Sequence, residues 1–347
     1  MARAGFGDDE NGAIPTYYAA PPVPRMAPLG TAQRPLPLII DSDPGLDDAL
    51  AIGLAVARPE LFVVAVTTVG GNADVRRCTE NAMRLLHAFG RSDIPVAEGA
   101  AVPLTGAAVR ATAIHGESGI GRTVLPPSPA SPHPDGAVAL MARILRDSPV
   151  PVAIAPIGPL TNIALLLRLH PGLGPKIAHL SIMGGSIGEG NTTVSAEFNV
   201  YADPEAADIV FRAGIPITMM GLDVTHQATL DAAAADRLRA TGTTAAGVAA
   251  ELVDFGIERV GQWYGGTTTA IHDAVAIGHL AIADLVSVAS YNVRVDTTDG
   301  PARGRTVCEA LPFRMERSGL APNAQVGIRI DGTRFEDLLV DAFGRLP

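Results

Sequence analysis

Four aspartates occupy the eight-residue stretch DSDPGLDD, directly after the apolar residues 36–40. They are Asp41, Asp43, Asp47 and Asp48. Mutual repulsion and loss of water both oppose the ionisation of carboxylates that are crowded against an apolar segment. A divalent cation would remove that repulsion, and carboxylates without cysteine or clustered histidine favour calcium or magnesium. The stretch therefore predicts a site for a hard cation.

Helix capping is the simpler explanation of the same stretch. An aspartate or serine would cap a helix that begins near Leu46, and Asp47 and Asp48 would complement its positive N-terminus. This explanation accounts for two of the four carboxylates. It leaves Asp41 and Asp43 as neighbouring like charges in a strand-to-helix turn, so a cation site remains the favoured interpretation.

A calcium-binding EF-hand loop does not fit these aspartates. If it began at Asp41, it would need glycine at its sixth position and glutamate at its twelfth. Those positions hold Leu46 and Ile52. The EF-hand interpretation therefore fails.

A phosphatase of the haloacid-dehalogenase type is a weak alternative. Its nucleophile loop has the form DxDGT, whereas here Asp43 is followed by Pro44 and Gly45 with no threonine or valine after them. A phosphohydrolase that uses Asp41 as its nucleophile stays open as an alternative function.

A serine-hydrolase motif is also present, at residues 184–188, where GGSIG matches GxSxG after a predicted strand. His226 or His272 lies downstream and would complete a Ser, Asp, His triad. The nucleophile in such enzymes opens a helix, but the following residues GEGNTTVSAEFN are polar and have no helical period. The triad is disfavoured, and it would leave the aspartates unexplained.

The elements that must position these residues alternate along the chain. Strands are predicted at residues 36–40, 62–69, 152–156, 178–183 and 217–221, and helices at 73–89, 136–146, 160–169 and 205–213. This alternation predicts an α/β fold with an open, mainly parallel, Rossmann-like sheet that is flanked by helices. After about residue 228 the sequence is helical and alanine-rich as far as residue 285. Added strands at 287–295 and 325–330 and a closing helix at 335–343 follow.

Polar segments follow five of the predicted strands, and they read DSDPGLDD, VGGNAD, PIGPLTN, MGGSIGEGN and GLDVTHQ. In an open parallel sheet the ligand binds outside the carboxyl ends of the strands. We expect these segments to converge on one crevice.

Composition limits the classes of partner. The 347 residues include 26 Lys and Arg against 36 Asp and Glu, so the net charge of −10 disfavours nucleic acid and anionic membrane surfaces. The two cysteines, Cys78 and Cys308, have neither CxxC spacing nor the density of a disulfide framework, which favours a reducing, cytoplasmic location. No segment offers the ~18 consecutive apolar residues that a membrane span needs.

Two regions are predicted along the chain. Residues 1–35 are rich in proline and alanine and lack the apolar core of a signal peptide, which predicts a flexible tail. No linker divides residues 36–347, so a single domain is predicted there.

Taken in order, the motifs resemble those of the nucleoside hydrolases, the inosine-uridine preferring ribohydrolases, from about residue 36 to residue 343. The signature DxDPGxDD is complete at residues 41–48. Further matches are TTVGGN ending at Asn72, HGESG from His115, PIGPLTN from Pro156, MGG at Met183, AEFN ending at Asn199, GLDVTHQ, and IHDA with His272 and Asp273.

The resemblance implies calcium-dependent hydrolysis of the N-glycosidic bond of ribonucleosides to free base and ribose, in nucleoside catabolism or salvage. It implies calcium ligands at Asp43, Asp47, Asp48 and Asp273 and at the backbone carbonyl of Ile157. Asp43 would act as general base on a metal-activated water that attacks C1′, and His272 would protonate the leaving base.

The resemblance also implies how the substrate is held. Ribose hydroxyls would be bound by Asn72, Asn191, Glu197 and Asn199, with Asp41 orienting the loop or the ribose diol, Met183 and Phe198 packing on ribose or base, and His115 as a second pocket histidine. Aromatic residues make up only 4% of the chain, which favours uridine, inosine or a broad preference over purines alone. Trp263 and Tyr264 would line the base side of the pocket or pack on a helix surface. The expected assembly is a homodimer or homotetramer, and a catalytically silent nucleoside-binding protein is the other alternative.

Overall fold

The computed structural model describes residues 30–347. Within that range the strands are β1 Leu36–Ser42, β2 Leu61–Thr68, β3 Val96–Glu98, β4 Val152–Pro156, β5 Ile177–Met183, β6 Ile217–Met220, β7 Thr229–Leu230, β8 Thr269–Ala270, β9 Val286–Val295, β10 Thr306–Glu309 and β11 Ala324–Ile330. The helices are α1 Leu46–Ala57, α2 Val75–Ala88, α3 Thr112–His115, α4 Gly136–Asp147, α5 Thr161–Leu169, α6 Phe198–Ala202, α7 Pro204–Phe211, α8 Leu222–Thr225, α9 Ala232–Ala240, α10 Thr244–Tyr264, α11 His272–Ala281, α12 Pro312–Arg317 and α13 Gly332–Gly344, with a 3-10 helix at Pro171–Lys176.

Nine of these strands form one sheet in the order β10-β9-β11-β6-β5-β4-β1-β2-β3. The run from β3 to β11 is parallel, whereas β9 pairs antiparallel with both β11 and β10. The predicted fold, a mainly parallel sheet flanked by helices with added strands near the C-terminus, is confirmed.

Both faces of the sheet are buried because helices cover each of them. In β1, Leu38 and Ile40 join a core with α1, α10, α11 and α13, while Ile39 points into the opposite core with α4, α5 and α7. Continuous apolar runs, rather than an alternation with polar residues, are what a strand buried on both faces requires.

The strand register sets where the polar loops meet. Asp41 in β1 lies beside Thr67 in β2 and beside Pro156 in β4. The carboxyl ends of these three neighbouring strands therefore lie side by side, and the loops that follow them open at the same edge of the sheet.

Short edge strands were not predicted. Val96–Glu98 and Thr306–Glu309 form the two outer strands, and three or four residues are too few to show a period. Residues 1–29 of the predicted tail lie outside the described residues, while Thr31 and Arg34 pair in a turn just before β1. Among residues 30–347, no helix is both long and apolar enough to cross a membrane.

Candidate active site

A cavity of about 910 Å³ opens where the loops after the parallel strands converge. Eleven of the predicted site residues line it: Asp47, Asn72, His115, Ile157, Met183, Asn191, Glu197, Phe198, Asn199, His272 and Asp273. The other three, Asp41, Asp43 and Asp48, are buried next to these loops and do not line the cavity. The expected convergence of loops that are distant in sequence is therefore observed.

Three carboxylates gather at one end of the cavity. Oxygen atoms of Asp47, Asp48 and Asp273 lie within 4.8 Å of one another. Asp47 and Asp48 lie in the first turn of α1, and Asp273 lies in the first turn of α11. Two helix N-termini thus point their positive ends towards the cluster, which favours negative charge there.

Electrostatics within this cluster match a cation site. Burial, followed by repulsion from Asp47, Asp48 and Asp43, raises the pKa of Asp273 well above its usual range. Burial and repulsion from Asp47 raise the pKa of Asp48 in the same way. A divalent cation would reverse the repulsion and hold the carboxylates ionised. The donor set is all oxygen, so it fits calcium or magnesium.

Asp48 is held in place by three hydrogen bonds. Its carboxylate accepts from Ser42 Oγ at 2.6 Å, from the backbone N–H of Gly45 at 2.8 Å and from Asn72 Nδ2 at 3.0 Å. The donors come from the end of β1, from the turn that follows it and from the loop after β2. The orientation of this ligand candidate is therefore fixed by two side chains and one backbone group around it.

Asp43 has one carboxylate oxygen without a partner. Its Oδ2 accepts the backbone N–H of Asn72 at 2.7 Å, but its buried Oδ1 has no hydrogen-bond partner among residues 30–347. A Cβ atom at Gly71 or at Gly158 would collide with this carboxylate, so glycine at both positions makes room for it. Burial and repulsion from Asp48 raise the pKa of Asp43 well above its usual range. An unpartnered buried oxygen suits a metal or a water molecule as its missing partner.

Asp41 lies behind the cavity wall. Its Oδ1 accepts from Thr67 Oγ1 at 2.5 Å and from Asn162 Nδ2 at 2.8 Å. Burial raises its pKa to about 7, although both hydrogen bonds oppose that shift. Of the two roles expected for Asp41, this position favours orienting the loop over contacting the ribose.

Glu197 and Asn199 form the next part of the wall. Glu197 caps α6 and accepts backbone N–H groups of Gly185, Asn199 and Val200 at 2.8–3.1 Å. Burial raises the pKa of Glu197 to about 7 in spite of these bonds. Asn199 donates through Nδ2 to the carbonyl oxygens of Ile157 at 2.9 Å and Met183 at 3.1 Å.

The loop of residues 184–197 is fixed from two sides. Asp223 accepts the backbone N–H groups of Ile187 at 2.6 Å and Gly188 at 3.1 Å. Thr306 in β10 accepts the N–H of Ser186 at 2.8 Å and donates to its carbonyl at 2.6 Å. Neither clamp was identified in the sequence. Thr306 belongs to a strand that was not predicted, and Asp223 lies in the segment GLDVTHQ, whose contact with residues 187 and 188 depends on the fold.

The serine-hydrolase alternative finds no support at Ser186. Its hydroxyl is buried without a hydrogen-bond partner among the described residues, and no helix begins at this position. Asn191, later in the same loop, accepts the backbone N–H of Phe198 at 3.0 Å. The loop therefore serves as cavity wall.

His272 lies at the start of α11, beside the acidic cluster. Its Nδ1 is 2.7 Å from Thr225 Oγ1, and the ring of His226 stands edge-on at a centroid distance of 5.5 Å. Burial, then the proximity of His226 and His115, lowers the pKa of His272 to about 3. His115 accepts the backbone N–H of Leu46 through Nδ1 at 3.1 Å, which ties the loop that bears it to the start of α1.

Another part of the cavity wall is built by α10. Its lining residues include Leu252, Val253, Gly256, Arg259, Val260 and Tyr264, which recur at the three- to four-residue spacing of one helix face. Tyr264 lines the cavity, whereas Trp263 does not and is 61% exposed. Arg259 was not predicted from the sequence because it belongs to no motif. The available signal was its helical spacing from Leu252 and Gly256, which places the three residues on one helix face.

Comparison with known proteins gives a consistent result. Residues 38–337 match the sequence profile of the inosine-uridine preferring nucleoside hydrolases. The chain is 45% identical over 307 residues to the pyrimidine-specific ribonucleoside hydrolase RihA of Citrobacter koseri, a match that covers 88% of this chain and 97% of that protein. The RihA protein of Escherichia coli O1:K1 is 44% identical over the same shares of the two chains.

Solved structures agree with this result. A plant nucleoside hydrolase superposes with a TM-score of 0.84 and 32% identity, covering 89% of this chain and 99% of that one. A purine-preferring ribonucleoside hydrolase from Gardnerella vaginalis superposes with a TM-score of 0.83 and 30% identity, covering 89% and 98%.

Proposed function

We propose that this chain, which belongs to the inosine-uridine preferring nucleoside hydrolase family and is a ribonucleoside hydrolase, acts on pyrimidine ribonucleosides with the help of calcium. The observation that carries the proposal is one cavity that joins a cluster of three carboxylates, a set of amide and carboxylate groups, and a histidine. The names of the relatives at 44–45% identity favour pyrimidines as the base.

The calcium ion would be held by Asp43, Asp47, Asp48 and Asp273 and by the carbonyl of Ile157. The compact carboxylate cluster and the unpartnered oxygen of Asp43 support this ligand set. When bound, the ion supplies an anchor for vicinal hydroxyls and Lewis-acid activation of water.

The protein's own residues then divide the work on the ribose. Asn72, Asn191, Glu197 and Asn199 provide acceptors and donors that suit ribose hydroxyls, and Asn199 is held rigidly by two carbonyls. Met183 and Phe198 line the same wall and pack against the substrate. Cleavage of the N-glycosidic bond builds positive charge on the sugar ring, and the surrounding carboxylates stabilise it.

Proton transfer falls to two residues. Asp43 is the general base, since its unpartnered Oδ1 can accept a proton from the attacking water. His272 is the group that protonates the departing base. Because burial lowers the pKa of His272 to about 3, the neutral imidazole must first take up a proton, which the negative charge developing on the base favours. In that protonated form Nδ1 donates to Thr225 Oγ1, and the proton on Nε2 is the one that the base receives.

The test of this function is ribose release from uridine, cytidine, inosine and adenosine by the purified protein, before and after removal of calcium. We expect calcium-dependent release of reducing sugar from uridine and cytidine and much less from the purine nucleosides. Equal rates on purines would overturn the base preference. A lack of sugar from every nucleoside, with phosphate released from nucleotides instead, would establish the phosphohydrolase alternative.

Assembly and location complete the proposal. A homodimer or homotetramer in the cytoplasm is proposed, and the free thiols of buried Cys78 and half-buried Cys308 agree with a reducing compartment. Light scattering on the eluting protein would measure the mass, and a mass near 35.7 kDa would contradict the oligomer.

A further inference from the structure

One cationic side chain lines the cavity on the wall formed by α10. Among the described residues, Arg259 is the only lysine or arginine that lines the cavity. It extends from α10, whose other lining residues are mostly apolar. A permanent positive charge in this place needs a reason, because an aliphatic side chain would cover the same surface without the cost of partial burial.

Contacts around Phe255 show how Arg259 is held. The Cζ atom of Arg259 lies 4.8 Å from the ring centroid of Phe255, and that of Arg122 lies 5.5 Å from the same centroid. Arg122 forms an ion pair with Glu258, and it does not line the cavity. The two guanidinium groups thus share one aromatic partner but differ in their surroundings.

Donor capacity remains free on Arg259. One terminal nitrogen, Nη1, donates to Gln262 Oε1 at 3.1 Å, and the other, Nη2, makes no hydrogen bond among residues 30–347. Nε also has no partner there, but it is shielded from solvent, so Nη2 is the donor that a ligand can reach. Stacking on Phe255 restricts the plane of the guanidinium, and among residues 30–347 no carboxylate forms an ion pair with it. A preorganised cation with an unused donor is suited to recognise an electron-rich, planar group.

The departing base is such a group. When the bond between C1′ and N1 breaks, its electron pair stays on the pyrimidine and spreads to the carbonyl oxygen at position 2, next to N1. The sugar carbon receives hydroxide from water, whose proton passes to Asp43, and the base receives its proton from His272. Until that proton is transferred the base carries negative charge, and a neighbouring cation lowers the barrier.

We propose that Arg259 is a further catalytic residue, which donates a hydrogen bond to the carbonyl oxygen at position 2 of the pyrimidine and stabilises the negative charge on the departing base. The inference rests on the proposed function and deepens it. It also gives a chemical reason for a pyrimidine preference, since purines have no carbonyl next to the nitrogen that bears the sugar.

The experiment compares R259M and R259K with a matched control, R122M, which removes the other guanidinium from the same Phe255 ring. Turnover is measured on uridine and on p-nitrophenyl riboside, whose leaving group is stable as an anion without help. We expect R259M to lower kcat on uridine by about 10²–10³-fold, as loss of a preorganised donor does. Hydrolysis of p-nitrophenyl riboside should fall by less than about threefold, and R259K should recover part of the loss on uridine because it restores the charge.

The control separates catalysis from packing. R122M is expected to keep both activities within about threefold of the unmodified protein, because Arg122 stacks on Phe255 outside the cavity. Equal losses on the two substrates in R259M, or losses in R122M that match those in R259M, would overturn the inference while leaving the hydrolase function standing. Failure of the unmodified protein to release ribose from any nucleoside would instead refute the proposed function itself.

Discussion

Two parts of the cavity wall are built in different ways. We call them the acidic end, which holds Asp47, Asp48 and Asp273, and the α10 end, which holds Arg259. At the acidic end, side chains from several loops are tied to one another and to the backbone, as the three bonds to Asp48 and the three to Glu197 show. At the other end, one helix, α10, presents apolar side chains and Arg259, with few hydrogen bonds. The first end is fixed by strand register, whereas the second depends on the side chains of a single helix face.

This difference teaches where each property of the enzyme resides. In the proposed function the groups that act on the ribose are needed whatever the base, and they lie where the sheet holds them rigidly. The residues of α10 that we propose to contact the base can change without disturbing the sheet. Solved relatives share this fold although one is purine-preferring, which agrees with that division.

The largest effect is expected from D48N. Loss of the negative charge at the centre of the carboxylate cluster should abolish calcium binding, and kcat should fall by about 10⁴-fold or more, since a bound metal contributes several kcal/mol to the transition state. The turnover of uridine and that of p-nitrophenyl riboside should fall by the same factor. D74N, which alters an exposed aspartate that caps α2, is the control. Metal content and turnover are measured together, and a variant that retains calcium would contradict the assignment.

A smaller loss is expected from D43A. Removal of a general base typically reduces turnover by about 10²–10⁴-fold. The factor should again be the same for all leaving groups, because the general base acts on water. Initial rates on the same two substrates provide the measurement. A loss smaller than about tenfold would show that another group accepts the proton.

H272A should separate the two ends of the cavity. We expect about 10²-fold lower kcat on uridine, whose base leaves poorly without a proton, and less than about tenfold on p-nitrophenyl riboside. T225V should show a milder form of the same pattern, since Thr225 orients the imidazole. If kcat falls by the same factor on both substrates, His272 does not protonate the leaving group.

The smallest effect concerns the free energy of unfolding, which depends on two buried histidines. His179 in β5 and His279 in α11 are buried, and burial lowers the pKa of each to about 4. The unfolded chain takes up protons near pH 6.5, so the stability from each neutral histidine is complete above that pH and is lost as the pH falls towards 4. At pH 5 the loss is on the order of 2 kcal/mol per histidine.

H279L should reduce this acid sensitivity. Asp41 and Glu197, whose pKa values are raised to about 7, contribute with the opposite sign between pH 7 and 4, so the quantity to compare is the difference between variant and unmodified protein. Urea unfolding at pH 7.5 and at pH 5 gives this difference. A pH-independent difference would exclude the titration of His279.

The acidic end was largely predictable from the sequence, and the α10 end was not. Two local patterns mark this end, the signature with Asp47 and Asp48 and the dipeptide His272-Asp273. Their residue types indicate metal binding and proton transfer. Arg259 lies in an ordinary helical pattern, and its relation to Phe255 and the cavity depends on how α10 packs. Thr306 was missed since a four-residue edge strand has too little sequence to be recognised.

The clamp by Thr306 has a consequence for biosynthesis. Asp43 and Thr306 are separated by most of the chain, and at about 5–20 residues per second the ribosome needs roughly 15–50 s to pass from one to the other. During that interval the loop that begins at Gly184 lacks its anchor on β10. A nascent polypeptide thus carries the aspartates of residues 41–48 long before Asp273 and Thr306 are made, and its hydrolytic site can be completed only after the ribosome has passed Thr306.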